Sequence, residues 1–190
     1  MTAQRHRTAA HEAGHATAAF LLDRKVVLVS IDTTAQFDGP CSIDVEHREP
    51  LNGRRRPAQH WHKLGDEALV VLAGPLAEQL AYEYENPPLP VPAGERVPPP
   101  PPLTGRPEGR DRAQLDQLMT AMTSTEAEAQ AFEQALTFRA EAFIRHPHFA
   151  ALHEHLCAAL MRSGTLDGDV VRVELQRAEL QYASHHMEAV

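Results

Sequence analysis

The chain has few cysteines and no long apolar run, and each shortage excludes a class of protein. Two cysteines, Cys41 and Cys157, in 190 residues are too few for the disulfide framework of a small secreted domain. No apolar stretch reaches the roughly 18 to 20 residues that a membrane helix needs. The first residues lack the basic region, apolar run and cleavage site of a signal peptide. We therefore expect a cytoplasmic protein with no membrane span.

Positive charge is also scarce. The formal net charge of −8 argues against a nucleic-acid binder, which needs a concentrated basic surface. The one basic run, Arg54-Arg55-Arg56, adjoins Pro57 and is typical of a solvated loop. Hydrophobic residues make up 43% of the chain, and 190 residues are enough for one domain with a packed core. We expect a single domain over residues 1–190.

Apolar periodicity predicts a mainly α protein with a small β element. Helices are predicted over residues 3–22, 64–85, 109–122, 126–145, 148–162 and 167–182. Strands are predicted over residues 25–31 and 41–45, paired through the turn at 37–40, with a loop over 47–60. Within the second helix, Gly74-Pro75 predicts either a kink or a tight contact with another helix.

Most of the 15 prolines lie in one segment, residues 86–107, which includes the unbroken run Pro98–Pro102. Such a composition is typical of an extended, polyproline-like connector. We interpret it as a loop insertion within the domain, because residues beyond it complete the candidate site. The alternative is a docking segment for a partner protein. The oligomeric state, including a homo-oligomer, is left open.

One short motif carries chemistry: His11-Glu12-Ala13-Gly14-His15, an HExxH sequence inside the first predicted helix. Residues at i and i+4 share one helix face, with Cβ atoms about 5 to 6 Å apart, so both imidazoles can bind one zinc ion. Glu12 is then placed to act as the general base that takes a proton from the water on the metal. Because the chain contains 12 histidines, the motif alone is a weak signal.

A catalytic zinc needs a third protein ligand and one position left for water. Three carboxylates are candidates from the sequence. Asp111 is expected in the first turn of the helix after the proline-rich segment. Glu78 lies on the helix over 64–85, and Asp116 is one and a half turns beyond Asp111. Spacing along the chain does not decide among them.

The order of these features resembles the peptidase domain of the FtsH proteases, which are membrane-bound AAA+ zinc metallopeptidases. The resemblance begins with TAAHEAGHATAA at residues 8–19 and continues through KVVLVSI and Gly39. LAGPLAEQLAYE at 72–83 is similar to that family's G-x-x-A-E helix. Thr104-Gly105 and DRAQ at 111–114 are similar to its T-G…D-x-x-Q segment, and residues 152–175 to its closing pair of helices.

The resemblance implies a zincin-like fold, zinc as the cofactor, and Asp111 as the third ligand beside His11 and His15. Glu78 is then a structural helix residue. The resemblance does not extend to an ATPase module or to membrane segments. We therefore expect an ATP-independent zinc metalloendopeptidase that cleaves flexible or unfolded polypeptides, held by β-augmentation on an edge strand over Val26–Ile31. The alternative is a zinc-binding regulatory or scaffold protein, a degenerate peptidase acting through protein contacts.

Overall fold

A computed structural model describes residues 3–32, 41–44, 58–85, 103 and 105–187. This part of the chain is mainly helical with one small sheet, as the periodicity predicts. The elements in chain order are α1 (Ala3–Leu21), β1 (Lys25–Ser30), β2 (Cys41–Asp44), α2 (Ala58–Glu85), α3 (Gly109–Met122), α4 (Glu126–Ile144), α5 (Pro147–Ser163), β3 (Thr165–Asp167) and α6 (Gly168–Met187). The turn at Gly39 and most of the proline-rich loop, residues 86–102 and 104, lie outside the described residues.

The main differences from the sequence-based prediction are the start of α2, the extra strand before α6, and the end of α6 at Met187 rather than at residue 182. The loop expected over 47–60 is wrong at its end, because α2 begins at Ala58 rather than at Leu64. Residues 58–63 are mostly polar, and their two apolar residues, Ala58 and Trp61, are too few to show helical periodicity. Residues 165–167 form β3, and α6 begins only at Gly168. A three-residue strand is too short to show alternation.

The sheet has the strand order β2-β1-β3, and both pairings are antiparallel. β2 pairs with β1 from Lys25↔Asp44 to Val29↔Cys41, with a register shift between Val26 and Leu28. β3 pairs with the other side of β1 at Leu28, Val29 and Ser30. The expectation that Val26–Ile31 is an edge strand is therefore wrong: β1 is central, and its backbone groups are used by both neighbours.

α1 is the central helix, and α2 and α5 pack against it. Its alanines make this possible, because six of them are completely buried and their small side chains let neighbouring backbones approach. The closest approach is at Gly14, where an added Cβ would lie 2.7 Å from the Ala73 carbonyl oxygen and 2.8 Å from Ala77 Cβ. α2 continues as one helix through Pro75, so the tight helix contact is what Gly74-Pro75 provides.

α5 packs against α1 and is one residue longer at each end than the predicted helix over 148–162. Pro147 occupies its first turn, and Gly164, with φ of 77°, ends it. Its buried face carries large side chains into the core: Phe149, Leu152, Leu156 and Leu160. α6 packs against α5 through buried residues that include Val171 and Leu175. α1, the helix with the HExxH motif, is thus packed against both α2 and α5.

Candidate metal centre

Three side chains from two helices bring ligand atoms to one point. His11 and His15 come from α1, and Asp111 comes from the first turn of α3. The two Nε2 atoms are 3.0 Å apart. Asp111 Oδ2 lies 3.0 Å from His11 Nε2 and 3.4 Å from His15 Nε2. Among the described residues, this is the group of three whose ligand atoms lie close enough to hold a metal ion.

The triangle of atoms fits tetrahedral zinc. Ligands about 2.0 to 2.1 Å from zinc at tetrahedral angles are about 3.3 to 3.4 Å from one another. The observed separations of 3.0 to 3.4 Å are at or slightly below that spacing. His11, His15 and Asp111 would hold such an ion as three protein ligands, and a catalytic zinc would keep its fourth position for water. Two imidazoles and one carboxylate also suit other divalent ions.

Each histidine ring is oriented by a hydrogen bond from its other nitrogen. His15 Nδ1 donates to the backbone carbonyl of Val70 at 2.8 Å. His11 Nδ1 donates to Glu78 Oε2 at 3.0 Å. Both acceptors belong to α2, so this one helix fixes both rings. With the proton on Nδ1, each Nε2 can present its lone pair to a metal, the arrangement usual for metal-binding histidines.

Gly74 provides the space that the His15 ring occupies. A Cβ at this position would lie 2.7 Å from His15 Cδ2 and still closer to Nε2. The site therefore depends on a glycine of α2 as well as on the helical spacing within α1. His15 is 6% exposed, and the ring fills a gap in the helix contact.

Ionisation in the metal-free protein couples His11 to Asp111. Burial lowers the pKa of His11, but the hydrogen bond to Asp111, the charges of Glu12 and Asp111 and the bond to Glu78 outweigh it and raise the pKa to about 9. Burial raises the pKa of Asp111, whereas the hydrogen bonds from His11 and His15 hold it well below its usual range. A metal ion must therefore displace a proton from His11.

Glu12 lies beside the triad and is almost fully buried, at 4% exposure. Burial raises the pKa of its carboxyl, and the positive charges of His15 and His11 oppose that shift. The same interactions show that Glu12 lies within electrostatic range of both histidines. A raised pKa brings the group closer to neutrality, which favours proton transfer in both directions by a general base.

The structure distinguishes the three carboxylates that the sequence offers as candidates for the third ligand. Asp111 faces both Nε2 atoms. Glu78 contacts His11 from the opposite ring nitrogen, so it orients a ligand and is more than a structural helix residue. Asp116 is paired with Arg112 and lies outside the triad.

Three partners of the site were missed by sequence reasoning. The Val70 carbonyl is a backbone group and leaves no trace in side-chain patterns. Gln79 accepts a hydrogen bond from the Gly105 amide, which ties the segment before α3 to α2. Arg112 joins α3 to α4 through Glu133. The only sequence signal for Gln79 and Arg112 is that each directly follows a candidate ligand, Glu78 or Asp111.

The other described histidines of α5 bind protein groups. His153 Nε2 donates to the Ala10 carbonyl at 2.8 Å. His155 pairs with Glu174 at 2.7 Å, and His148 stacks on Tyr182.

An open groove of about 1330 Å³ lies beyond the C-terminal end of α1, between β1 and α6. The triad lies in the middle of α1 and does not line this groove.

No known protein-family model matches this sequence, and no curated protein matches it significantly. The resemblance to the FtsH peptidase domain therefore stays a prediction based on the motifs quoted above. Within the described part of the chain, none of the helices combines the length and apolar character needed to cross a membrane.

Proposed function

We propose that this chain is a zinc-dependent metalloendopeptidase with a zincin-like fold of the FtsH type. The observation that carries the proposal is the convergence of His11 Nε2, His15 Nε2 and Asp111 Oδ2 within 3.0 to 3.4 Å of one another. A buried glutamate, Glu12, follows the first of these ligands directly. Two histidines, one carboxylate and an adjacent base match the requirements of metal-assisted peptide hydrolysis.

The roles of the residues follow from their positions. His11, His15 and Asp111 hold the ion, and Val70 and Glu78 keep the two rings in place. Bound zinc supplies Lewis-acid chemistry, both for the scissile carbonyl and for lowering the pKa of water to about 7. Glu12 accepts the proton from the attacking water and passes it to the leaving amine. Its buried setting keeps bulk water from competing for that proton.

We place the substrate along the free edge of β2. β1 is paired on both sides, which leaves β2 and β3 as the outer strands of the described sheet. β2 is the longer of the two, and it also packs against α1, the helix of the metal ligands. A peptide added to this edge must be extended, so flexible or unfolded polypeptides are the substrate class. Their cleavage by this chain needs no ATP.

The first test measures zinc by elemental analysis and proteolysis with unstructured casein. Wild type is expected to carry about one zinc per chain and to degrade casein. The Glu12→Gln variant should keep the zinc and lose activity by 100-fold or more, since a general base typically contributes about 10²- to 10⁴-fold. Asp111→Ala should lose both zinc and activity.

Other outcomes reject the proposal in distinct ways. Full activity of Glu12→Gln would remove the proposed mechanism. Stoichiometric zinc in a wild type that cleaves no polypeptide would favour the zinc-binding regulatory or scaffold protein. A folded wild type that binds no metal would exclude both readings.

A further inference from the structure

Arg112, the residue after the proposed third ligand, makes a bidentate ion pair with Glu133 on the neighbouring helix α4. Arg112 Nη1 lies 2.6 Å from Glu133 Oε1, and Nη2 lies 3.1 Å from Glu133 Oε2. The guanidinium also contacts Asp116, one turn further along α3. Paired N–H groups facing paired carboxylate oxygens fix orientation as well as distance. The contact therefore sets how the start of α3 is rotated against α4.

Core packing contributes little to the first turn of α3. None of the residues from Gly109 to Gln114 is buried, and the apolar contacts of the helix begin at Leu115. The residue at the N-cap position, Glu108, makes no side-chain capping bond. Asp111 lies in this turn and is partly exposed. Its position therefore depends on polar contacts rather than on core packing.

A small rotation of this turn is enough to move the ligand out of reach. An aspartate carboxylate extends to about 6 Å from the helix axis, where Cα atoms lie at about 2.3 Å. A rotation of roughly 20° thus moves the carboxylate by about 2 Å. Metal–ligand distances are typically held within about 0.2 Å. The ion pair holds Arg112, the residue next to Asp111, and therefore opposes a rotation of this turn.

We propose that Arg112 is the positioning residue for the third metal ligand, acting through its ion pair with Glu133. This inference rests on the proposed function, because it assigns Asp111 to a metal. Arg112 does not touch the metal, the substrate or the triad. It fixes the first turn of α3 so that Asp111 meets the two histidines.

Cobalt titration followed by visible absorption tests this, since Co²⁺ reports both affinity and coordination geometry. We compare wild type with Arg112→Gln, Glu133→Gln and the conservative Arg112→Lys. The matched control is Arg177→Gln, which removes a surface ion pair with Glu174 on α6, far from the triad along the chain. Thermal unfolding of the metal-free proteins is measured alongside.

Arg112→Gln and Glu133→Gln are expected to bind cobalt about 10- to 100-fold more weakly, the range for outer partners of metal sites. Their cobalt-saturated spectra should differ from wild type, and Arg112→Lys should recover part of the affinity. A merely structural pair would lower the unfolding temperature of the metal-free protein and leave the saturated spectrum unchanged. Wild-type affinity and spectrum in Arg112→Gln would overturn the inference alone. A wild type that binds neither cobalt nor zinc would overturn the proposed function and this inference together.

Discussion

Glu78 and His11 face each other across the contact between α1 and α2, with Glu78 Oε2 3.0 Å from His11 Nδ1. The carboxylate accepts a hydrogen bond from His11 Nδ1–H, on the side of the ring that faces away from Asp111. This bond selects the tautomer whose Nε2 is free for a metal. The negative charge of Glu78 also raises the basicity of the ring, so that Nε2 binds a metal more strongly. Glu78, which the sequence offered as a candidate metal ligand, thus orients the His11 ring from the side opposite to Asp111.

Substituting Glu78 should weaken metal binding without abolishing it. Glu78→Gln keeps an oxygen that can accept from His11 Nδ1 but loses the charge, so zinc affinity should fall by about tenfold. Asp111→Asn removes a charged ligand and should cost far more. Competition titration against a chelator measures both. Equal losses in the two variants would show that Glu78 itself binds the metal.

A single added methyl group on α2 should damage the metal centre. In Gly74→Ala the new Cβ would overlap the His15 ring, so the ring must turn away from the triad. We expect overpacking to cost about 1 to 3 kcal/mol in the free energy of unfolding, together with a loss of zinc affinity. Urea unfolding and zinc titration give the two quantities.

Gly65→Ala is the matched control for that experiment, because a Cβ at Gly65 of the same helix meets nothing within 4 Å. Replacing glycine by alanine in a helix is expected to stabilise the protein by up to about 1 kcal/mol. Zinc affinity should stay at the wild-type value. If Gly74→Ala behaves like Gly65→Ala, then the close contact with His15 does not constrain the site.

The sequence and the structure agree where contacts are local. The closeness of His11 to His15 could be predicted because their spacing of four residues puts them on one helix face, and the helices follow from apolar periodicity. Asp111 lies 96 residues from His15, and only tertiary packing of α3 brings it to the triad. β3 was missed for the same reason, since three residues become a strand only by pairing with β1.

Metal binding should release a proton at neutral pH. In the metal-free protein the pKa of His11 is raised to about 9, so the ring is charged at pH 7.5. A ligand imidazole must be neutral at the metal-binding nitrogen, and the proton leaves as the ion enters. Calorimetry in buffers of different ionisation enthalpy should give about one proton per zinc from this ring. An unchanged enthalpy across buffers would contradict the prediction.

Acid should destabilise the metal-free protein through a buried histidine of α5. Burial lowers the pKa of His153, whose Nε2–H donates to the Ala10 carbonyl just before the HExxH motif. Because the folded pKa lies below the unfolded value of about 6.5, the unfolded chain binds the proton first. The stabilising contribution is therefore fully present above pH 6.5 and is lost as the pH falls.

The slope of stability against pH isolates this residue. While His153 stays neutral in the folded state, each pH unit below 6.5 costs up to about 1.4 kcal/mol from this group. His11 acts in the opposite sense and mainly at higher pH, because its pKa is raised to about 9 and its contribution changes between about pH 6.5 and pH 9. The comparison is therefore between wild type and His153→Gln, by urea unfolding at pH 7 and pH 5. The variant should lose less stability over this interval, since glutamine cannot take up a proton. Identical losses in the two proteins would show that His153 is charged in the folded protein at pH 5, and that acid sensitivity arises elsewhere.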